Sequence, residues 1–160
     1  MEFEIDVSGE DILDKDYTIC VANKDGIIKG FKFDENLVKI LKSRYGQEMY
    51  RYKKTKKQKA TFKVRLYCVV IYYLFKSIKN LREISLTICR DFDGKSNDIN
   101  FNLSHLLENK LGIIIENVRH EKLKDNSNAH SYAYLMRKDR KNKMNTYVKI
   151  SLEEIEEFLK

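Results

Sequence analysis

From Met49 to Arg82 the chain carries no acidic residue, and the second half of that stretch is apolar almost all the way round at helical spacing. Phe62, Leu66, Val69, Val70, Tyr73 and Leu74 form one stripe, and Val64, Cys68, Ile71 and Phe75 form another. A helix with two apolar stripes has no face left for water, so it belongs in a core, packed on a sheet. Its longest uncharged apolar run, Leu66 to Phe75, is half of what a membrane span needs. The segment that follows, Glu83 to Gly94, reads as a strand of a covered sheet. Ile84, Leu86 and Ile88 point one way and the uncharged Ser85, Thr87 and Cys89 the other. It ends in Asp91 and Asp93 where the chain must turn, at the edge where α/β sheets gather their chemistry.

The remaining elements follow from pattern. Residues 1–16 hold seven acids and one lysine, with Phe3, Ile5 and Val7 alternating with acids, and read as an acidic arm or an edge strand. Tyr17–Ala22 and Ile27–Phe33 make a hairpin around Asp25-Gly26, because Asp-Gly supplies the positive φ of a tight turn. Asp34 caps a helix carrying Leu37, Val38, Leu41 and Tyr45. Met49–Lys53 is a third strand, and a helix over 98–111 follows the Glu83–Gly94 strand. A strand over 113–118, a short helix around Ala129–Met136, and a C-terminal strand (146–150) and capped helix complete the chain. The expectation is one domain over 1–160, of α/β class, with a mixed central sheet, an N-terminal antiparallel meander and helices on both faces.

Charge favours a polyanionic partner: Lys plus Arg number 31 against 24 Asp plus Glu, a net +7. The excess is concentrated. Arg51, Lys53, Lys54, Lys56, Lys57, Lys59, Lys63 and Arg65 place eight positive charges in fifteen residues, interleaved with Tyr50 and Tyr52. Lysines would meet phosphates and tyrosine faces would meet unpaired bases, so this stretch is the expected nucleic-acid surface, for RNA or DNA alike. Three cysteines without metal-ligand spacing read as reduced thiols, and no signal peptide or membrane segment is evident, which points to the cytoplasm and to no membrane partner.

With the helix at 34–45 set aside, residues 17–140 resemble the ribonuclease H-like fold, in which an antiparallel meander is followed by alternating helices and parallel strands. The resemblance implies nucleic-acid binding and phosphodiester hydrolysis with Mg²⁺ or Mn²⁺ held by carboxylates. It puts Asp91 or Asp93 in the place of the family's fourth-strand aspartate. Asp125 or His130 falls in the polar loop and helix start near the last core helix, Asp125 as a ligand and His130 as a proton carrier. Two departures stand beside it. The strand ending Val21-Ala22-Asn23 brings no aspartate, leaving Asp25 or Asp16 to substitute, and the acid-free 49–82 stretch lacks the family's helical glutamate. A non-catalytic RNA- or DNA-binding module using Arg51–Arg65 is the alternative. An assembly protein whose acidic ends pair with the basic belt of a second copy, a homo-oligomer, is a third.

Overall fold

A computed structural model describes every residue except Asp93. Five strands form one mixed sheet in the order β3-β2-β1-β4-β5: β1 Glu2–Ser8, β2 Thr18–Ala22, β3 Ile28–Lys32, β4 Glu83–Ile88 and β5 Ile114–His120. The first three pair antiparallel, as an N-terminal meander; β4 lies parallel to β1 and β5 parallel to β4. The helices are α1 Glu35–Gly46, α2 Lys56–Lys76, α3 Ser96–Leu103 continuing as a π-helical stretch over Ser104–Lys110, α4 Asn128–Lys138 and α5 Leu152–Glu157.

The largest correction concerns the N-terminus, which is neither an arm nor an edge. β1 is the middle strand of the sheet, paired on both sides. Phe3 and Ile5 are buried in the main core, while Glu2, Glu4 and Asp6 face the other way. The acidic alternation is therefore that of a central strand with one apolar and one polar face. Conversely, Met49–Lys53 forms no strand. The outer edge of β3 is taken by the C-terminal segment: Gly30 N donates to Thr146 O at 2.8 Å and Val148 N to Gly30 O at 2.8 Å, a short parallel bridge centred on Tyr147.

The two sheet faces are covered unequally. On one side α1, α2, α3 and α5 pack over Ile19, Val21, Ile84, Leu86 and Ile88 in a single large cluster. Thr55 caps α2 by accepting from Gln58 N, and twelve α2 residues are buried, as the double stripe predicts. On the other side α4 lies over β1, β2 and β3 and, with Leu123 of the loop before it, packs against the small side chains Cys20 and Ala22. Gly30 belongs to this contact, because a Cβ there would collide with Met136 of α4. Among the described residues nothing comparable lies over β4 and β5, so Ser85 and Thr87 are only half-buried and Ile114 is exposed. Helices thus pack on both faces, but β4 is fully covered on one face only. The five-stranded order loosely matches the ribonuclease H-like arrangement.

Candidate metal centre

β1 and β4 run side by side in the same direction, so their carboxyl ends open at one edge of the sheet. Ile5 faces Ile88 across the pair, and Cys89 N continues the ladder by donating to Ile5 O at 3.0 Å. One step further, Asp6 and Cys89 become neighbours. Asp91 lies two residues beyond, where the chain has left the strand and turns tightly, with Asp91 N donating to Cys89 O at 3.0 Å. One ligand atom each from Asp6, Cys89 and Asp91 lies within 4.8 Å of the others.

Asp6 is buried and its carboxylate is held from two directions. Its Oδ1 accepts from Val7 N at 2.8 Å, and its Oδ2 lies 2.9 Å from Nδ1 of His130, in the first turn of α4. Ser127 caps that helix by accepting from His130 N, which fixes where the imidazole leaves the backbone. Asp91 is exposed as a residue, yet partial desolvation of its carboxyl and the nearby Asp6 charge push its pKa up to about 6, against a smaller opposing hydrogen bond from Cys89. Burial, then the charges of Asp91 and Asp6, push the Cys89 thiol up to about 11.

In the core on the α2 side of the sheet, the hydroxyl of Tyr67 is fully buried without a hydrogen-bond partner. Burial raises its pKa well above the ordinary value, with Asp91 and Asp6 adding to the effect. The carboxylates of Asp6 and Asp91, the Cys89 thiol and the His130 imidazole bring oxygen, sulfur and nitrogen donors together at the strand ends. The donor set fits a divalent cation: the Asp6 charge disfavours ionisation of Asp91, and a cation joining the two would remove that repulsion.

The residues singled out in the sequence fall into three groups. Asp91 and His130 meet at the site through Asp6, which sequence reasoning passed over. The signal was present, since the alternation Phe3, Ile5, Val7 runs into Ser8-Gly9, a strand with Asp6 near its end. Asp25 and Asp125 are exposed and supply no atom to the cluster. Asp25 sits in the β2–β3 turn, and because β2 runs antiparallel to β1 this turn lies at the opposite end of the sheet from Ser8. Asp125 lies in the turn ahead of α4, whose cap is Ser127. Asp16, ahead of β2, is likewise outside the cluster. Asp93 lies outside the described residues.

The basic stretch is also divided. Lys53, Lys54, Lys56, Lys57 and Lys59 are exposed. Arg51 and Arg65 both donate to Phe158 O, at 3.3 and 3.1 Å, and so are tied to the end of α5. Tyr50 and Tyr52 are buried against Phe62, with ring centroids 5.7 and 5.6 Å away, so their faces are already covered and are not stacking platforms for bases. The Tyr50 hydroxyl donates to Glu156 at 2.7 Å.

Two adjoining cavities link lysines and acids. The first, about 520 Å³, is lined by Lys42, Lys54, Lys59 and Lys63 together with Asp11 and Tyr45. The second, about 220 Å³, has Asp91, Phe92 and Tyr17 in its wall and shares Asp11 and Lys63 with the first. Lys63 Nζ and Asp11 Oδ2, 2.6 Å apart, form the common boundary. A third cavity, about 700 Å³, lies over the open sheet face between Glu2, Glu4, Thr87, Arg119 and Asn128, where charges of both signs mix.

No protein-family model, curated protein or solved structure matches this chain. Among the described residues no helix is long and apolar enough to cross a membrane.

Proposed function

We propose that this chain is a ribonuclease H-like nucleic-acid-binding protein that hydrolyses phosphodiester bonds with a divalent cation. The observation that carries the reading is the convergence of Asp6, Cys89 and Asp91 at the carboxyl ends of two parallel central strands, next to a cavity whose wall is shared with a lysine-lined one. Asp6 and Asp91 would hold the cation, which supplies Lewis-acid polarisation of the scissile phosphate. His130 orients the Asp6 carboxylate and, with its ring half exposed, is in position to pass a proton. Lys63, Lys59 and Lys54 receive the flanking phosphates. α2 carries no acid to serve as a further ligand, so the reading is of a single-cation centre rather than a two-cation one.

The test is cleavage of end-labelled RNA, DNA and hybrid duplexes with a divalent cation present. Product that disappears with EDTA and with Asp6→Asn supports the reading; no product from any polymer with any cation overturns it.

A second reading, a non-catalytic RNA- or DNA-binding module, is favoured by one feature of α2. Its first turn carries Lys56 and Lys57 and no acid, against the preference of a helix N-terminus for negative charge. A phosphate at that end would relieve the conflict. Binding that weakens with salt but is indifferent to EDTA would select this reading.

A further inference from the structure

The position beside Asp6 across the β1/β4 pair carries a thiol rather than a carboxylate. Of the three cysteines, Cys20 and Cys68 are fully buried and Cys89 alone is partly open. Its sulfur is one of the three grouped ligand atoms, between the two aspartates in the chain's path. We propose that the centre selects a thiophilic divalent cation, of the Zn²⁺ or Co²⁺ kind, over Mg²⁺, with Cys89 Sγ as a direct ligand beside Asp6 and Asp91. This rests on the cation-bearing reading above and names the cation class.

The chemistry follows from donor softness. Mg²⁺ takes oxygen almost exclusively and dehydrates reluctantly, so a sulfur in the set is a lost ligand for it. Zn²⁺ and Co²⁺ accept thiolate, imidazole and carboxylate together. The proton balance is simple: the Cys89 thiol gives its proton to solvent as the sulfur–metal bond forms, one proton per ion bound. The rest of the site is arranged in advance. Asp6 is fixed by Val7 N and His130 Nδ1, so its carboxylate need not reorient when the ion arrives. Asp91 reaches the cluster from beyond the strand end, leaving the thiol at the centre of the set.

The experiment is Co²⁺ titration of the full chain followed by absorption, with no nucleic acid present. Saturation at one ion per chain with a sulfur-to-cobalt charge-transfer band is expected, lost in Cys89→Ser, bleached by an equivalent of Zn²⁺ and unmoved by a hundredfold excess of Mg²⁺. Cys89→Asp, which makes the donor set all oxygen, should abolish the band and narrow the preference, so that a hundredfold excess of Mg²⁺ or Mn²⁺, without effect on the parent chain, now displaces Co²⁺. Co²⁺ binding that depends on Asp6 but shows no sulfur band, or that Mg²⁺ displaces as readily as Zn²⁺ does, overturns the thiol as ligand while leaving the cation centre standing. Failure of every divalent ion to bind overturns the centre itself. Circular dichroism of both variants confirms that the comparison is between folded chains.

Discussion

Nδ1 of His130 lies 2.9 Å from Oδ2 of Asp6, although 124 residues separate them in the chain. The contact ties the first turn of α4 to the middle strand of the sheet, and it holds the carboxylate that the rest of the candidate centre converges on. Losing such an orienting partner typically costs 10–100-fold in metal affinity. His130→Ala should therefore weaken Co²⁺ or Zn²⁺ binding by about 10- to 100-fold, and His130→Gln, which keeps a donor, by less. Asp6→Asn removes a ligand outright and should exceed both. Isothermal titration calorimetry orders the three.

Cation binding should strengthen as pH rises through about 6, because protons and cations compete for Asp91, whose pKa stands near that value. Stability runs the other way. Asp91 holds its proton more tightly folded than unfolded, so the folded state is favoured below the ordinary carboxylate range and loses that advantage as pH climbs to about 6. Asp91→Asn should raise the apo protein's Tm at pH 7 and leave it unchanged near pH 3.5. Solvent screens this partly exposed group, so the expected gain is modest, about 2–4 °C by thermal unfolding.

Replacing Lys54, Lys59 and Lys63 together with glutamine should weaken nucleic-acid binding and flatten its salt dependence. Each lost phosphate contact removes about 0.9 from the log–log salt slope on a duplex and about 0.7 on a single strand, so the triple variant should lose roughly 2 to 3. Tyr52→Leu, by contrast, should leave affinity untouched, since its ring is covered by Phe62. Fluorescence anisotropy across a salt series separates the two.

Glu156 is buried on α5, where it accepts from Arg44 of α1 and from the Tyr50 hydroxyl at 2.7 Å. Arg44 is about a third exposed and regains water when its partner goes, so the main loss is the buried hydrogen bond to the Tyr50 hydroxyl. Glu156→Ala and Tyr50→Phe should each cost about 1–3 kcal/mol in urea unfolding. Neither should change cation stoichiometry.

How far the sequence could be read depended on which residues do one job and which do two. The double stripe of α2, the Asp25-Gly26 hairpin and the alternation of β4 are pure packing signals, and each became the element expected. β1 reads as an edge because its polar face is acidic: Glu2, Glu4 and Asp6 look like the outside of an edge strand, whereas they stand on the less covered face of the central one. Met49–Lys53 misled for the opposite reason. Tyr50 and Tyr52 alternate like strand residues, but both turn inward onto Phe62, and the sheet edge they would have joined is filled by residues 146–148. Glu156 reads as one of a run of solvated acids, and only the arrival of Arg44 and Tyr50 from distant segments makes it a core residue. Such contacts are non-local, and spacing within a segment carries no trace of them.

The central place of β1 also dictates an order of events as the chain is made. β2 emerges soon after β1 and can pair with one side of it, but the other side stays bare until β4 follows α1 and α2. By then the lysines of α2 have been exposed for some time, while Asp6 still lacks Cys89, Asp91 and His130. On the reading proposed here, a growing chain would be able to hold a nucleic acid well before it was able to cut one, and cutting would wait for α4.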